Sequence, residues 1–338
     1  MDKWKGRVEV MERLKILIIG GTGFIGSNLV HFFHREGYEV GTTIRVDSNV
    51  WRVSDLLTEI NSFKLDITDR EKINEVFILF KPDIVINTIA YGGYHFETDS
   101  ERILNSNFYG TVNLVESYIK SNAEILINTG SSSEYGFKDH PMSEQDILEP
   151  LGSYAVSKVA ATLYSRSRSL ESNRKIVTLR LFSAYGEFEE PHRLVPYLIY
   201  SSIKAKSAKL NNPNNVRDFI YVRDICDAYR SLIERQGNVG LGEIFNLGSG
   251  KESRVGEIVN LIEIISRQKL NVEWQNVYER VGDKAVHWLA EMSKMNDILK
   301  WKPKYSLEKG LSATYSWFRE NIEKYEVVGN SKLRKLGE

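Results

Sequence analysis

Three groups of residues in this chain have the types and spacing to do chemistry. Tyr154 and Lys158 stand four apart in Gly-Ser-Tyr-Ala-Val-Ser-Lys at 152–158. Helix positions i and i+4 share a face. An ammonium beside a phenol favours the phenolate and lowers its pKa from about 10. Tyrosine then becomes an acid/base usable near neutral pH. The same spacing also occurs on solvated helices, so its order relative to the other groups matters. The second group is Gly20, Gly23 and Gly26 in Gly-Gly-Thr-Gly-Phe-Ile-Gly, with Phe24 and Ile25 in the same turn. Between a strand and a helix, the first glycine permits a tight turn and the second lets main chain approach a pyrophosphate. The third lets helix and strand pack closely. The new helix N-terminus offers unpaired N–H groups and a positive dipole end to phosphate. Ordinary turns also use glycine; the apolar run 16–19 before it and the helical pattern 27–33 after it favour a dinucleotide site. The third group is Gly-Ser-Ser-Ser-Glu-Tyr-Gly at 130–136, which ends an apolar strand. Ligands of open parallel sheets bind beyond the carboxyl ends of strands. Ser131, Ser132 and Ser133 are therefore candidates for substrate contact, the alternative being a serine-rich turn that caps a helix.

Positioning these groups requires alternating strands and helices. Strands are expected at 16–19, 37–45, 63–69, 81–90, 123–129 and 175–182, and helices near 27–33, from 69, at 105–119 and from 152. Asp69, or Thr68 before it, is placed to cap the second helix. Asn107 is unusual inside a helix and is expected to hydrogen-bond main chain nearby. After 182 the alternation loosens, with helices at 194–203, 293–299 and 307–320 and a turn at 211–215 leading into 216–222. The expected fold is α/β, a Rossmann-type doubly wound parallel sheet with a smaller, mixed C-terminal substrate domain. Its expected division is a leader 1–12, a dinucleotide-binding domain 13–183 to which 219–247 returns, a substrate domain 184–218 and 248–325, and a tail 326–338. At the end of the second strand, where a cofactor's adenosine ribose lies, stands Arg45, with Asp47 two residues on. A carboxylate there repels the 2′-phosphate of NADP and arginine pairs with it, so NADP(H) is favoured over NAD(H). The alternative is a solvated Arg45 with Asp47 holding the ribose. Asp66 and Ile67 are placed to flank the adenine, although Asp66 equally suits a turn.

Composition narrows the partners. The chain has 338 residues, 42% apolar and 27% charged, with 45 basic and 45 acidic residues and a formal net charge of zero. That supports neither a nucleic-acid nor a membrane partner. The single cysteine, Cys226, excludes an intrachain disulfide and points to a reducing, cytoplasmic setting. Its helical surroundings suggest a buried structural thiol. No apolar run approaches the ~18 residues of a membrane span. Residues 1–12 lack a secretory apolar core.

Together these motifs carry a family resemblance. From about 14 to about 320, the chain resembles the extended short-chain dehydrogenase/reductases, in particular the NAD(P)-dependent nucleotide-sugar epimerase/dehydratase group. The matching motifs are the glycine turn at 20–26, Tyr154-x-x-x-Lys158, Arg-Asp-Phe-Ile-Tyr-Val at 217–222 and Arg280-x-x-Asp283. The resemblance implies that Tyr154 exchanges the proton at a sugar hydroxyl as hydride moves, and that Lys158 holds the nicotinamide ribose. It implies Ser131 as the catalytic hydroxyl, with Ser132 as fallback, and Arg217 and Arg280 as the clamp of the substrate pyrophosphate. It assigns His192 to the nucleotide-sugar pocket and a homodimer to the assembly. The 4,6-dehydratases of the group carry Glu where this chain has Ser133, with Glu134 one residue later, which disfavours dehydration. The 3,5-epimerising members use a Cys and a His, and Cys226 lacks that context. Ser183 stands where many epimerases carry Asn. The favoured activity is reduction of a nucleotide 4-keto-sugar at C4, in surface-polysaccharide or deoxysugar biosynthesis. The alternatives are a 4-epimerase retaining NAD, a 4,6-dehydratase, and a regulator that binds the dinucleotide without catalysis.

Overall fold

A computed structural model describes residues 13–94, 96–275 and 287–332, with side chains described as far as residue 325. The first strand, β1 (Lys15–Ile19), carries Ile16 to Ile19 with no exposed surface. A strand apolar on both faces must be covered on both, which is the usual condition of a parallel sheet. It lies inside a seven-stranded sheet with β2 (Glu39–Ile44), β3 (Asn61–Lys64), β4 (Ile84–Asn87), β5 (Ile125–Ser131), β6 (Ile176–Leu181) and, after β7 (Ser183–Tyr185), β8 (Ala208–Leu210) and β9 (Val216–Tyr221), β10 (Ile244–Leu247). The order is β10-β6-β5-β4-β1-β2-β3, and all pairs are parallel. Strand β10 returns to the sheet edge beside β6.

Alternation decides which side chain meets which layer. Ile16 and Ile18 pack with Leu29 and Phe33 of α1 (Phe24–Arg35). Leu17 and Ile19 pack with Ile73 and Phe77 of α2 (Arg70–Phe80). Asp69 caps α2 by accepting from Lys72 N–H at 3.1 Å. The helix expected at 105–119 starts earlier and is interrupted. It runs as α3 (Ser100–Leu104), a π-helical turn (Asn105–Tyr109) and α4 (Gly110–Ile119). Strand β5 runs on to Ser131 and meets a short 3₁₀ turn (Ser132–Tyr135) before α5 (Gly152–Ser172).

The remaining chain builds two small sheets, β11 (Glu252–Arg254) with β9 and β7, and β12 (Val272–Trp274) with β8. Around them pack α6 (Leu194–Ile203), α8 (Val255–Ser266) and α10 (Leu307–Lys332), while α7 (Val222–Glu234) lies beside α1 and α9 (Ser293–Leu299) beside β10, in the core of the large sheet. The short strands β7, β8, β11 and β12 have three residues each, too few for a period to show in sequence. Helix α10 extends twelve positions beyond the expected end at 320, around a non-helical Asn321. Cys226 is a buried thiol in α7, and burial pushes its pKa up. Among the described residues no helix is long and apolar enough to cross a membrane.

Candidate functional site

The glycine turn is built by close packing. Gly20 has φ +88°, a conformation that L side chains rarely adopt, and its N–H donates to Thr43 Oγ1 at 3.2 Å. A Cβ on Gly26 would stand 2.2 Å from the Gly20 carbonyl oxygen, so helix and strand approach each other only because it is glycine. Gly23, the N-cap of α1, meets only that oxygen, at 3.4 Å. Gly21 is as demanding as Gly26, since its Cβ would lie 2.0 Å from Thr42 Oγ1. The spacing argument passed over it because the constraint comes from β2. Phe24 and Ile25 form the first turn of α1 and rest on the apolar cores. This turn fits a dinucleotide pyrophosphate: it is a cradle that side chains would fill, and it opens on a helix N-terminus. Gly26→Ala is expected to cost about 1–3 kcal/mol by overpacking and to abolish cofactor binding, read by thermal melting and calorimetric titration.

Beyond the ends of β2 and β3 lies a cleft of about 370 Å³ lined by Arg45, Asp47, Asp66, Thr68, Asp99, Glu101, Arg102, Asn105 and Ser106. Arg45 is exposed, and its Nε lies 3.5 Å from Asp47 Oδ1. Both residues offered for the ribose therefore stand together. Arg102 lies over the Tyr91 ring at 4.3 Å and adds a second guanidinium that no spacing announced. Asp66 lines the cleft and also makes its own turn, accepting from Thr68 N–H at 2.9 Å and Thr68 O–H at 2.7 Å. Burial raises the Asp66 pKa, but the Thr68 bonds and the charges of Arg45 and Arg102 hold it below the usual range. The Ile67 side chain turns away into the core and packs on Gly110, where a Cβ would be 2.5 Å from it.

At the end of β5 the serines and the Tyr-Lys pair converge. Ser131 Oγ lies 2.7 Å from Ser133 Oγ and near enough to the Tyr154 phenol to oppose the rise of its pKa. Glu134 points inward and is fully buried. Its Oε1 accepts the Ser131 N–H at 2.9 Å, and its Oε2 accepts from Arg180 Nε at 2.8 Å. Glu134 and Ser131 thus form a capping box on the 3₁₀ turn, so the run both caps a turn and presents hydroxyls. Lys158 is 3% exposed and donates from Nζ to the Thr129 carbonyl at 2.6 Å. Burial pulls its pKa down to about 8, and Glu134 opposes the fall. The expected depression of the Tyr154 phenol by Lys158 is not what this arrangement gives. Burial raises the Tyr154 pKa; the Ser131 hydroxyl and Arg193 oppose that rise. The Lys158 ammonium is held instead by a strand carbonyl.

Two further elements frame Tyr154. Asn107, in the π-helical turn, binds both main-chain groups of Tyr91 and donates to Ser157 Oγ at 2.9 Å. Its partner is main chain, as expected, but sixteen residues away rather than adjacent. π-helical turns are frequent at functional sites. The loop that follows Tyr91 brings Gly93 within 3.9 Å of the Tyr154 ring, measured from the position a Cβ would take. Arg193 donates to the Gly93 carbonyl at 3.2 Å and lies over Tyr94 at 4.5 Å. His192 packs edge-on against Tyr94 and Phe96, at 4.5 and 5.2 Å.

On the side of Ser132, Trp288 donates from Nε1 to Ser132 Oγ at 3.1 Å, and the Arg217 guanidinium lies over its ring at 5.3 Å. Buried Asp218 accepts from Ser249, Gly250 and Ala290 main chain, so the residue after Arg217 ties β9 to the segment that carries Trp288. Arg280 and Asp283 lie outside the described residues. Ser183 sits in β7 opposite Phe219. Sequence reasoning missed Trp288, Arg193 and Arg180, whose partners are distant in the chain. Among the described residues no His, Cys, Asp and Glu group could hold a metal ion.

Known proteins share this architecture. A family model described as the NAD dependent epimerase/dehydratase family matches residues 16–248, more than half of the chain. UDP-glucuronate 4-epimerase of Thermodesulfobacterium geofontis is 29% identical, over 91% of this chain and 97% of that protein. The structure of dTDP-glucose 4,6-dehydratase from Bacillus anthracis, in complex with NAD, is 25% identical with a TM-score of 0.82, covering 93% of this chain and 99% of that one. UDP-glucose 4-epimerase of Thermotoga maritima, solved with UDP-glucose, is 25% identical with a TM-score of 0.82, covering 91% and 100%. The motifs, the sheet and the match along most of the chain agree, and the chain belongs to the NAD dependent epimerase/dehydratase family.

Proposed function

We propose that this chain is an NADPH-dependent reductase of a nucleotide 4-keto-sugar, acting at sugar C4 in glycan or deoxysugar biosynthesis, as a cytoplasmic homodimer. The observation that carries C4 redox chemistry is the convergence of Ser131 on the Tyr154 phenol at the end of β5, with the Lys158 ammonium buried on the Thr129 carbonyl of the same strand. A bound nicotinamide supplies the hydride that adds to the carbonyl carbon. The Tyr154 phenol gives its proton to the carbonyl oxygen, and Ser131 donates a hydrogen bond to the same oxygen. Arg193 stabilises the phenolate left behind, since its charge opposes the rise of the Tyr154 pKa. Lys158 is placed to hold the nicotinamide ribose. Arg217 and Arg280 clamp the substrate pyrophosphate.

Two observations narrow the outcome. Glu134 is engaged by Arg180 and the Ser131 N–H, so it is not offered to a sugar carbon and dehydration lacks its acid. Arg45 and Arg102 line the cleft at the end of β2, a setting for a 2′-phosphate, and the exposed Arg45–Asp47 pair is weak enough to open. A second reading, 4-epimerisation with retained NAD, is favoured by Asp47 in the same cleft and by relatives named as 4-epimerases.

Incubation with nucleotide 4-keto-6-deoxysugars is expected to consume NADPH stoichiometrically, read by absorbance at the nicotinamide band and by product stereochemistry. Epimer exchange of UDP-sugars without net NADPH use would select the second reading. Calorimetry is expected to show NADP bound more tightly than NAD, with Arg45→Ala removing about 1–2 kcal/mol of the difference. Equal affinities in the parent would remove the NADP assignment.

A further inference from the structure

A hexose reduced at C4 must lie between two fixed points: the group that exchanges a proton at its C4 oxygen, and the cation that holds the pyrophosphate on its C1. Here these are Tyr154 with Ser131 at one end and Arg217 at the other. Trp288 joins Ser132, next to the first end, to Arg217 at the second. Its indole N–H donates to Ser132 Oγ, the neighbour of Ser131, and its ring carries the Arg217 guanidinium at 5.3 Å. The indole is also held firmly. The Trp288 main-chain N–H donates to Glu252 Oε1 at 3.1 Å, and the Ala290 main-chain N–H donates to buried Asp218 at 3.1 Å, which fixes the backbone that carries the ring. Behind the ring lies an apolar cluster that includes Phe182.

Trp288 is a poor partner for a sugar hydroxyl. Indole has one donor and no acceptor, and that donor is used by Ser132. What remains is carbon. A hydroxyl pressed on such a surface without a partner costs about 1–3 kcal/mol in proteins. A methyl or methylene there gains burial instead.

We propose that Trp288 reads the hexose and selects a nucleotide sugar deoxygenated along the edge that meets its ring. This rests on the C4 reading of the site and on Arg217 as a pyrophosphate contact. Trp288 is a specificity residue; it takes no part in proton transfer.

The test is binding, so it stands apart from turnover. In the UDP, CDP and dTDP series, calorimetry compares the nucleotide-linked glucose with its 3-deoxy and 6-deoxy analogues. One deoxy analogue is expected to bind about tenfold more tightly than the parent sugar, the equivalent of about 1.4 kcal/mol. Ser132→Ala frees the indole N–H and is expected to narrow that gap by strengthening the hydroxylated member. Trp288→Phe keeps an apolar ring and is expected to keep the gap. The free nucleoside diphosphates are expected to bind the parent and Ser132→Ala alike. Equal affinity for the hydroxylated and deoxy sugars, or a gap untouched by Ser132→Ala, would overturn the role of Trp288 and leave the C4 reading standing. Failure to bind any nucleotide sugar would overturn both.

Discussion

Replacing Tyr154 by phenylalanine is expected to lower turnover by about two to four orders of magnitude while nucleotide-sugar binding survives. The range is the usual contribution of a positioned general acid. The substitution removes one oxygen, beside Ser131, from a ring whose neighbours stay in place. The ring still fills the space beside Gly93 and the Arg193–Tyr94 stack, so the fold should hold. A drop in kcat with KM nearly unchanged marks a group that acts in the transition state. Near-normal turnover would remove Tyr154 from the mechanism. Because burial raises the phenol's pKa, Tyr154 is protonated at neutral pH, the form that a reductase needs before each transfer.

Glu134 should produce the other large effect, by two separable routes. Glu134→Ala strands Arg180, 1% exposed, without its carboxylate. Breaking a buried pair in this way costs about 3–5 kcal/mol, readable as a lower midpoint in urea. Glu134→Gln keeps the shape and the acceptor for the Ser131 N–H but removes the charge. The Lys158 pKa of about 8 reflects burial opposed by Glu134. Without that charge the ammonium is easier to lose, so its pKa falls. The site needs the ammonium, so activity disappears as pH rises through this pKa. The alkaline limb of kcat/KM should therefore stand near pH 8 in the parent and move to lower pH in Glu134→Gln. An unmoved limb would mean that Glu134 only holds the turn. Pairing Glu134→Leu with Arg180→Met should restore stability, because no lone charge is buried, without restoring the limb.

The residues legible in sequence are those whose partners are close in the chain. Tyr154 and Lys158 announce themselves because four residues bring a helix back to the same face. Gly20, Gly23 and Gly26 do so because strand, turn and helix are consecutive. Apolar runs placed the central strands of the sheet, and the mixed segment after 182 was visible as a loss of period. Even there local reading stopped short. The spacing of Gly-Gly-Thr-Gly-Phe-Ile-Gly does not show that Gly21 must clear Thr42 on the next strand. The pattern at 105–119 does not show that Asn107 lies within a π-helical turn and holds Tyr91 and Ser157.

By itself the sequence determined the family, the succession of strands and helices, and the Tyr154–Lys158 pair on one helix face, because each is written in short-range periodicity and spacing. Tertiary structure alone decided the charges and walls around that pair. It turned Glu134 inward to Arg180, placed Arg193 beside the phenol, withdrew the Lys158 ammonium to a strand carbonyl, and set Trp288 between Ser132 and Arg217. Those contacts join residues tens to more than a hundred positions apart. Burial and Coulomb interactions depend on distance through space, and no local pattern encodes that distance.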